Sequence, residues 1–231
     1  MFIWKLIIQF GIRFIFSDPT LFDIDFKNKN GLGLNNPYNL LFRLNFKQNA
    51  FRSVLNPTLT FDFSCSTTGS SLNHVARLYN RMGRAPNATW SVIDRWPEYD
   101  GLVDAFVECT KAGLEQIPIE DRHKAVIIYS AHSLPVSSVD RGDPYPAEVA
   151  ATVYAVQKKL GFSNPWRLCW QSQVGPKKWL EPKTDEVLKE FADRGRKSVV
   201  VVPIAFTSDH IETLHELDIE FAEEAEKANL K

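Results

Sequence analysis

Two short apolar runs constrain the fold of this chain most strongly, because both have the pattern of buried strands. Each run is followed by residues with titratable side chains. Ala125–Ser130 and Ser198–Ala205 are rich in Val, Ile and Ala, a composition typical of strands buried on both faces of a parallel sheet. His132 follows the first run, and the cluster Asp209–Glu212 follows the second. Open α/β sheets bind ligands at the carboxyl ends of their strands. The two runs therefore predict one pocket that is lined from two sides.

The rest of the chain after about residue 58 alternates between helical and strand patterns. A third strand is predicted at Arg167–Gln171. Caps, prolines and apolar spacing predict helices from Ser70 to about Met82, from Pro97 to just before Pro118, from about Pro146 to Leu160, from Thr184 to Ala192, and from Ser208 or Asp209 to about Asn229. Strands that alternate with helices imply right-handed crossovers and a parallel sheet, so the predicted fold class is α/β.

The bulk composition excludes several classes of protein. Hydrophobic residues make up 44% of the chain and charged residues 24%, which is ordinary for a folded domain. The formal net charge is −1, so we expect no nucleic-acid partner. Cys65, Cys109 and Cys169 lie far apart and form no CxxC pair. This spacing argues against a disulfide framework and favours a reducing compartment.

Residues 1–58 differ from the rest of the chain. They are dominated by Phe, Ile, Leu, Asn and Lys, and they lack a clear helical or strand period. Met1–Phe16 could pass for a crude signal or anchor, but no small-residue cleavage site follows and no Arg- and Ser-rich transit peptide is evident. A buried strand or helix is the alternative interpretation. No run of eighteen uninterrupted apolar residues predicts a spanning helix.

The residues at the two strand ends fit metal or proton chemistry. In an extended segment His210 and Glu212 point to the same side, because side chains alternate along a strand. A neutral imidazole and a carboxylate together can hold a divalent metal or pass a proton. The spacing matches neither HExxH nor an open three-ligand zinc site, so a transient metal is favoured over a permanent one.

A row of carboxylates follows the second strand. Glu212, Glu216 and Glu220 recur every four residues, a spacing that drifts around an α-helix and stays straighter on a π-helix. The row could be a solvated acidic face. It could also be a ladder that delivers a cation to the pocket.

Aromatic residues are frequent near the predicted turns and strand ends. Their flat faces could belong to the core or pack against a large planar ligand; they are Trp96, Tyr145, Trp170, Trp179 and Phe206. The chain contains no nucleophile elbow, Walker loop or GxGxxG motif. Hydrolase, phosphoryl-transfer and dinucleotide-binding functions are therefore disfavoured.

Six segments, taken in order, form a specific pattern. They are 64–71 (SCSTTGSS), 90–97 (WSVIDRWP), 130–135 (SAHSLP), 142–146 (GDPYP), 170–176 (WQSQVGP) and 203–214 (PIAFTSDHIETL). Over about residues 61–231 the chain resembles the ferrochelatase family in its eukaryotic mitochondrial form.

The resemblance implies a Rossmann-like fold and a domain organisation. Residues 123–231 would form the catalytic domain, shortened at its C-terminal end. Residues 59–122 would be a remnant of the first domain with connecting helices, most of that domain being missing. Residues 1–58 match no part of the family pattern, and we expect a wrongly assigned start or an unspliced intron there.

The resemblance also implies a reaction and its location. The reaction is insertion of Fe²⁺ into protoporphyrin IX, the last step of haem synthesis. The family resides on the matrix side of the mitochondrial inner membrane, and a homodimer is implied for eukaryotic members. The substrates and partners expected are thus protoporphyrin IX, Fe²⁺, the inner-membrane surface and a second copy of the chain.

Roles follow by motif match. His132 would accept pyrrole protons or help to bind the metal, and Glu212 would be its catalytic partner across the cleft. His210, Asp209 and Glu216 would support the transient iron site. The porphyrin would contact Phe206, Tyr145, Trp179, Trp96 and Ser172.

No tightly bound cofactor is expected. Cys65 matches a position where animal and some fungal members place one ligand of a [2Fe–2S] cluster. Four thiolates are needed, and only this one is matched, so we predict no cluster. Two alternatives to iron insertion are a non-catalytic fragment that binds porphyrin or a partner protein, and a related chelatase that uses Co²⁺.

Overall fold

The computed structural model describes residues 52–55, 61–82 and 89–230, and the side chains of 52–55, 82 and 89–92 are not part of that description. The interpretations of Met1–Phe16 as an anchor or a buried element therefore lie outside the described residues. So does most of the segment 1–58 that was set apart from the family pattern.

A three-stranded parallel sheet forms the centre of the described fold. Strands β1 (Arg52–Leu55) and β2 (Thr89–Val92) form a separate parallel pair. The larger sheet contains β3 (Val126–His132), β4 (Trp166–Gln171) and β5 (Val199–Pro203) in the order β4–β3–β5. All pairings are parallel, which confirms the predicted α/β class. β3 extends two residues beyond its predicted end, so His132 is the last residue of the central strand.

Helices connect and cover these strands. The α-helices are α1 (Ser70–Met82), α2 (Asp100–Glu115), α3 (Ile119–Arg122), α4 (Val136–Asp140), α5 (Tyr145–Lys159), α6 (Thr184–Asp193) and α7 (Ala222–Lys227). Two further segments are π-helical, Cys65–Gly69 and Glu212–Phe221.

The period-two pattern of β3 divides the core between the two faces of the sheet. Ile127 and Tyr129 pack with α2 and α5 in the larger hydrophobic cluster. Val126 and Ile128 point the other way and pack with α6 and the C-terminal helices. All four side chains are fully buried, and burial of each aliphatic one contributes about 1.5–3 kcal/mol. Both faces of β3 are therefore covered, which fixes its carboxyl end in place.

The last predicted helix begins later than its sequence suggests. The sequence placed its cap at Ser208 or Asp209, whereas the regular π-helix begins at Glu212 and no side chain caps it. The side chain of Thr213 explains the difference, since its Oγ1 accepts from the backbone N–H of His210 at 3.0 Å. That bond ties the backbone of His210 to the start of the helix, so the helical hydrogen bonds begin at the His210 carbonyl. The π-helical form agrees with the spacing of the three glutamates.

Candidate active site

His132 stands at the carboxyl end of the central strand, opposite Gln171 of β4. The backbone N–H of Ser133 donates to the carbonyl of Gln171 at 2.9 Å and continues the ladder past the strand end. The His132 side chain is 42% exposed. The residue is thus held by the sheet while its imidazole remains open to an approaching ligand.

Glu212 lies next to His132. Nδ1 of His132 lies 3.9 Å from Oε1 of Glu212, which is an ion-pair distance and too long for a hydrogen bond. Burial lowers the pKa of His132, and the negative charges of Glu212 and Glu216 act in the opposite direction. The imidazole therefore favours its neutral form, with a carboxylate close enough to stabilise it if it gains a proton.

The turn before the π-helix brings in the other predicted metal ligands. The ring of Phe206 is buried and lies 6.1 Å from the ring of His210. Nε2 of His210 lies 3.2 Å from the hydroxyl of Ser208, and Asp209 is exposed. His210 is consequently engaged by its neighbours in the turn and directs one ring nitrogen to Ser208.

Glu216 is the most firmly held carboxylate of the site. The hydroxyl of Ser172 lies 2.9 and 2.7 Å from its two oxygens, and the amide of Gln171 donates to Oε2 at 3.1 Å. Ser172 adopts a left-handed backbone conformation with φ of 64°. Such a conformation is uncommon for a residue other than glycine, and here it accompanies a hydroxyl directed at Glu216.

A polar cleft of about 580 Å³ opens beside these groups. Its wall includes the predicted substrate residues Ser172 and Trp179 together with Glu216 and Glu220. The indole N–H of Trp179 donates to the carbonyl of Val174 at 3.1 Å, which orients the ring within the loop. Positive charge at the rim comes from Lys177, Lys178 and Lys183.

Two predicted substrate residues, Tyr145 and Trp96, do not line this cleft: Tyr145 is buried in the core, and Trp96 is partly buried against it. Tyr145 is 5% exposed, and its ring lies 6.0 Å from that of Trp170. Burial, followed by the charges of Asp62 and Asp143, holds the pKa of Tyr145 well above its ordinary value. Trp96 packs edge-on against Phe61 at 5.7 Å, beside the larger hydrophobic cluster.

Cys65 is exposed at the start of the first π-helix, whereas Cys109 and Cys169 are buried. Its backbone N–H and the hydroxyl of Ser64 both bind Oδ2 of Asp143, at 3.0 and 2.9 Å. Asp143 therefore ties this segment to the loop that precedes α5.

Within 52–55, 61–82 and 89–230, no group of three or more His, Cys, Asp or Glu side chains is gathered closely enough to hold a metal ion. Over the same residues no helix is both long and apolar enough to cross a membrane. The structure thus brings His132 and Glu212 together and places Glu216 behind them, while Asp209 and His210 occupy the neighbouring turn.

Comparison with known proteins identifies the family. A model of the ferrochelatase family matches residues 24–231, so the match begins well before the six motifs. The mitochondrial ferrochelatase of Bos taurus is 58% identical over 161 residues, which is 70% of this chain and 39% of the bovine protein. The Homo sapiens protein of the same name is 56% identical over 161 residues (70% and 38%). That of Schizosaccharomyces pombe is 46% identical over 168 residues (73% and 40%).

The aligned part of the chain thus spans about two fifths of the length of these relatives. The family model, in contrast, covers most of the chain itself. The chain belongs to the ferrochelatase family.

Proposed function

We propose that this chain inserts Fe²⁺ into protoporphyrin IX and so forms protohaem. The observation that carries the proposal is the pair formed by His132 and Glu212, whose Nδ1 and Oε1 atoms lie 3.9 Å apart at the carboxyl end of the sheet. The proposed reaction needs a base and a carboxylate, and it needs neither a nucleophilic side chain nor a bound nucleotide.

The reaction needs a base and a cation guide. Protoporphyrin IX loses two pyrrole N–H protons as Fe²⁺ forms four bonds to nitrogen, so the products are haem and two protons. His132 acts as the base, because it ends the central strand 3.9 Å from Glu212 and its lowered pKa favours the neutral imidazole, which can accept a proton. Glu212 then stabilises the imidazolium, and Glu216 with Glu212 attracts the incoming cation.

The macrocycle lies against the pair of His132 and Glu212 and extends toward the neighbouring polar cleft, whose wall contains neither of these two residues. Trp179 and Ser172 line that cleft, and Phe206 lies next to His210 on the other strand end. Tyr145 and Trp96 support the pocket from behind. His210 and Asp209 assist the transient iron site from the turn before the π-helix.

The proposal extends to location and assembly. The relatives are named mitochondrial ferrochelatases, which supports a mitochondrial location for this chain. We place it at the matrix side of the inner membrane, as a homodimer without a resident cofactor. The proposal also divides the chain into 59–122 and the catalytic domain 123–231; of the segment 1–58, residues 24–58 fall within the family match.

The test is an anaerobic insertion assay with Fe²⁺ or Zn²⁺ and a soluble porphyrin. We expect turnover by the unmutated chain and loss of turnover in His132→Ala and in Glu212→Ala. His215→Ala is the matched control, since His215 forms another His–Glu pair, 3.5 Å from Glu220, on the same π-helix. Its turnover should equal that of the unmutated chain.

Other results would redirect the proposal. Absence of turnover by the unmutated chain would contradict it. If the chain then still quenches porphyrin fluorescence, the alternative of a non-catalytic porphyrin-binding fragment is supported. Faster insertion of Co²⁺ than of Fe²⁺ in competition would favour a cobalt chelatase.

A further inference from the structure

Three buried polar side chains lie directly behind the pair of His132 and Glu212. Ser130, Gln171 and Thr184 are each at most 1% exposed. The hydroxyl of Ser130 donates to Oε1 of Gln171 at 2.6 Å and lies 2.8 Å from Oγ1 of Thr184. The three residues come from β3, β4 and the start of α6, so this network joins three elements.

The amide nitrogen of Gln171 faces the π-helix. Its Nε2 donates to the backbone carbonyl of Glu212 at 2.7 Å and to Oε2 of Glu216 at 3.1 Å. Both partners are acceptors, so they require the amide nitrogen at this side and the amide oxygen toward Ser130. Ser130 donates to Gln171 and therefore accepts from Thr184. The direction of every bond in the network is thus determined.

The network connects the central strand β3 to the start of the π-helix. Ser130 lies two residues before His132 on the same strand, while Glu212 begins the π-helix and Glu216 follows four residues later. A hydrogen bond to a carboxylate is stronger than one between neutral groups. In a buried site its loss leaves polar groups unsatisfied, so the helix start would shift or open.

We propose that Gln171 is a positioning residue for metal insertion, which through its buried amide fixes the first turn of the π-helix and the Glu216 carboxylate relative to His132. This inference rests on the proposed function. Gln171 contacts no reacting atom. Its effect is transmitted through the backbone of Glu212 and the side chain of Glu216.

Gln157 offers a matched comparison. It is also fully buried, and its Nε2 donates to the hydroxyl of Tyr129 at 2.8 Å, within the core and not at the pocket. Gln171→Leu and Gln157→Leu remove the same amide from equally buried positions. Gln157 loses only its bond to Tyr129, because its Oε1 has no partner, whereas Gln171 loses bonds at both ends of its amide. We therefore expect Gln171→Leu to lower overall stability more, and the overall stability of each variant is measured by urea denaturation before the π-helix is compared.

The first measurement is backbone hydrogen exchange of the intact chain, which does not depend on activity. In Gln171→Leu we expect exchange over residues 212–221 to accelerate by about tenfold or more, the effect of losing a hydrogen bond to a charged group. In Gln157→Leu exchange of that segment should stay as in the unmutated chain. Equal exchange of 212–221 in the two variants would overturn the inference.

The second measurement separates positioning from general damage. With Zn²⁺ and a soluble porphyrin, Gln171→Leu should raise the KM for metal and lower kcat by about tenfold each, with the KM for porphyrin unchanged. Equal loss in Gln157→Leu would overturn the inference. If the unmutated chain does not insert metal, the proposed function fails. The exchange comparison then still tests whether Gln171 holds the start of the π-helix in place.

Thr184 provides a milder route should Gln171→Leu fail to fold. Thr184→Val removes the hydroxyl that donates to Ser130 and keeps the shape, whereas Thr184→Ser retains the hydroxyl. We expect faster exchange over 212–221 in Thr184→Val and recovery in Thr184→Ser. Identical behaviour of the two variants would contradict the network.

Discussion

Nδ1 of His132 and Oε1 of Glu212 lie 3.9 Å apart, although one residue ends the central strand and the other begins the π-helix. The separation exceeds hydrogen-bond length, so the carboxylate influences the imidazole mainly through its charge. The two backbones are held by different elements, the His132 strand by the sheet and the Glu212 carbonyl by the amide of Gln171. A base and a counter-charge therefore lie side by side at the carboxyl end of the central strand.

The pH response of His132 should depend on Glu212. Burial lowers the pKa of the imidazole, and the Glu212 charge partly offsets that effect. Glu212→Gln removes the offset and should lower the pKa of His132 further, so that the neutral base persists to more acidic pH. NMR titration of the His132 ring protons in the two proteins measures the change. A pKa that is unchanged or higher in Glu212→Gln would contradict this arrangement.

Asp62 should make stability depend on pH. Burial, aided by the charge of Glu148, raises the pKa of Asp62 to about 8 from 3.8. The folded protein keeps a proton that the unfolded chain releases, so this residue lowers stability as pH rises from about 4 to about 8. Each pKa unit corresponds to about 1.4 kcal/mol, which amounts to a loss on the order of 4 kcal/mol by pH 7.

Asp62→Asn mimics the protonated side chain and should remove this loss. We expect it to unfold at higher urea concentration than the unmutated chain at pH 8, with a much smaller difference at pH 4. Asp104→Asn, an exposed change on α2, serves as control for loss of one charge. A stability difference for Asp62→Asn that is equal at both pH values would contradict the raised pKa.

Two glycines of α2 should respond oppositely to alanine. A Cβ at Gly113 would lie 2.9 Å from Cγ1 of Val200 in β5, where helix and sheet are packed. Overpacking costs about 1–3 kcal/mol, which outweighs the gain of about 1 kcal/mol from the helix propensity of alanine. Gly113→Ala should therefore lower the free energy of unfolding by about 1 kcal/mol.

Gly101→Ala is the matched change at the start of the same helix. Its Cβ would meet only the ring of Tyr99, which is 45% exposed and free to move aside. We expect an increase of up to about 1 kcal/mol in the free energy of unfolding. Urea denaturation of both variants tests the pair. Stabilisation by both would show that α2 does not pack closely on β5.

The sequence was sufficient for the strands and for the approach of His132 to Glu212. Both strands are apolar on two faces, and parallel strands of one sheet end at the same edge. The roles proposed for these side chains come from the resemblance to the family motifs. Such patterns are local or periodic, which is why they are visible without coordinates.

Other features depend on contacts between distant segments. Gln171 lies in a predicted strand and a recognised motif, yet its bonds to Ser130 and Glu216 require the folded sheet and helix together. The burial of Tyr145 likewise depends on how α5 meets the core. Hydrogen bonds between hydroxyl and amide side chains of distant segments produce no periodic pattern in the sequence, so they could not be predicted from it.

The most direct test of the account is a double-mutant cycle on His132 and Glu212 in the Zn²⁺ insertion assay. If the two residues act as one unit, His132→Ala and Glu212→Ala each lower kcat/KM by about a hundredfold or more, as expected for loss of a general base. The double variant should then be no more than about threefold worse than the poorer single variant, since residues that act as a unit are strongly non-additive. A double variant whose loss equals the product of the two single losses would show that the residues act independently and would contradict the account.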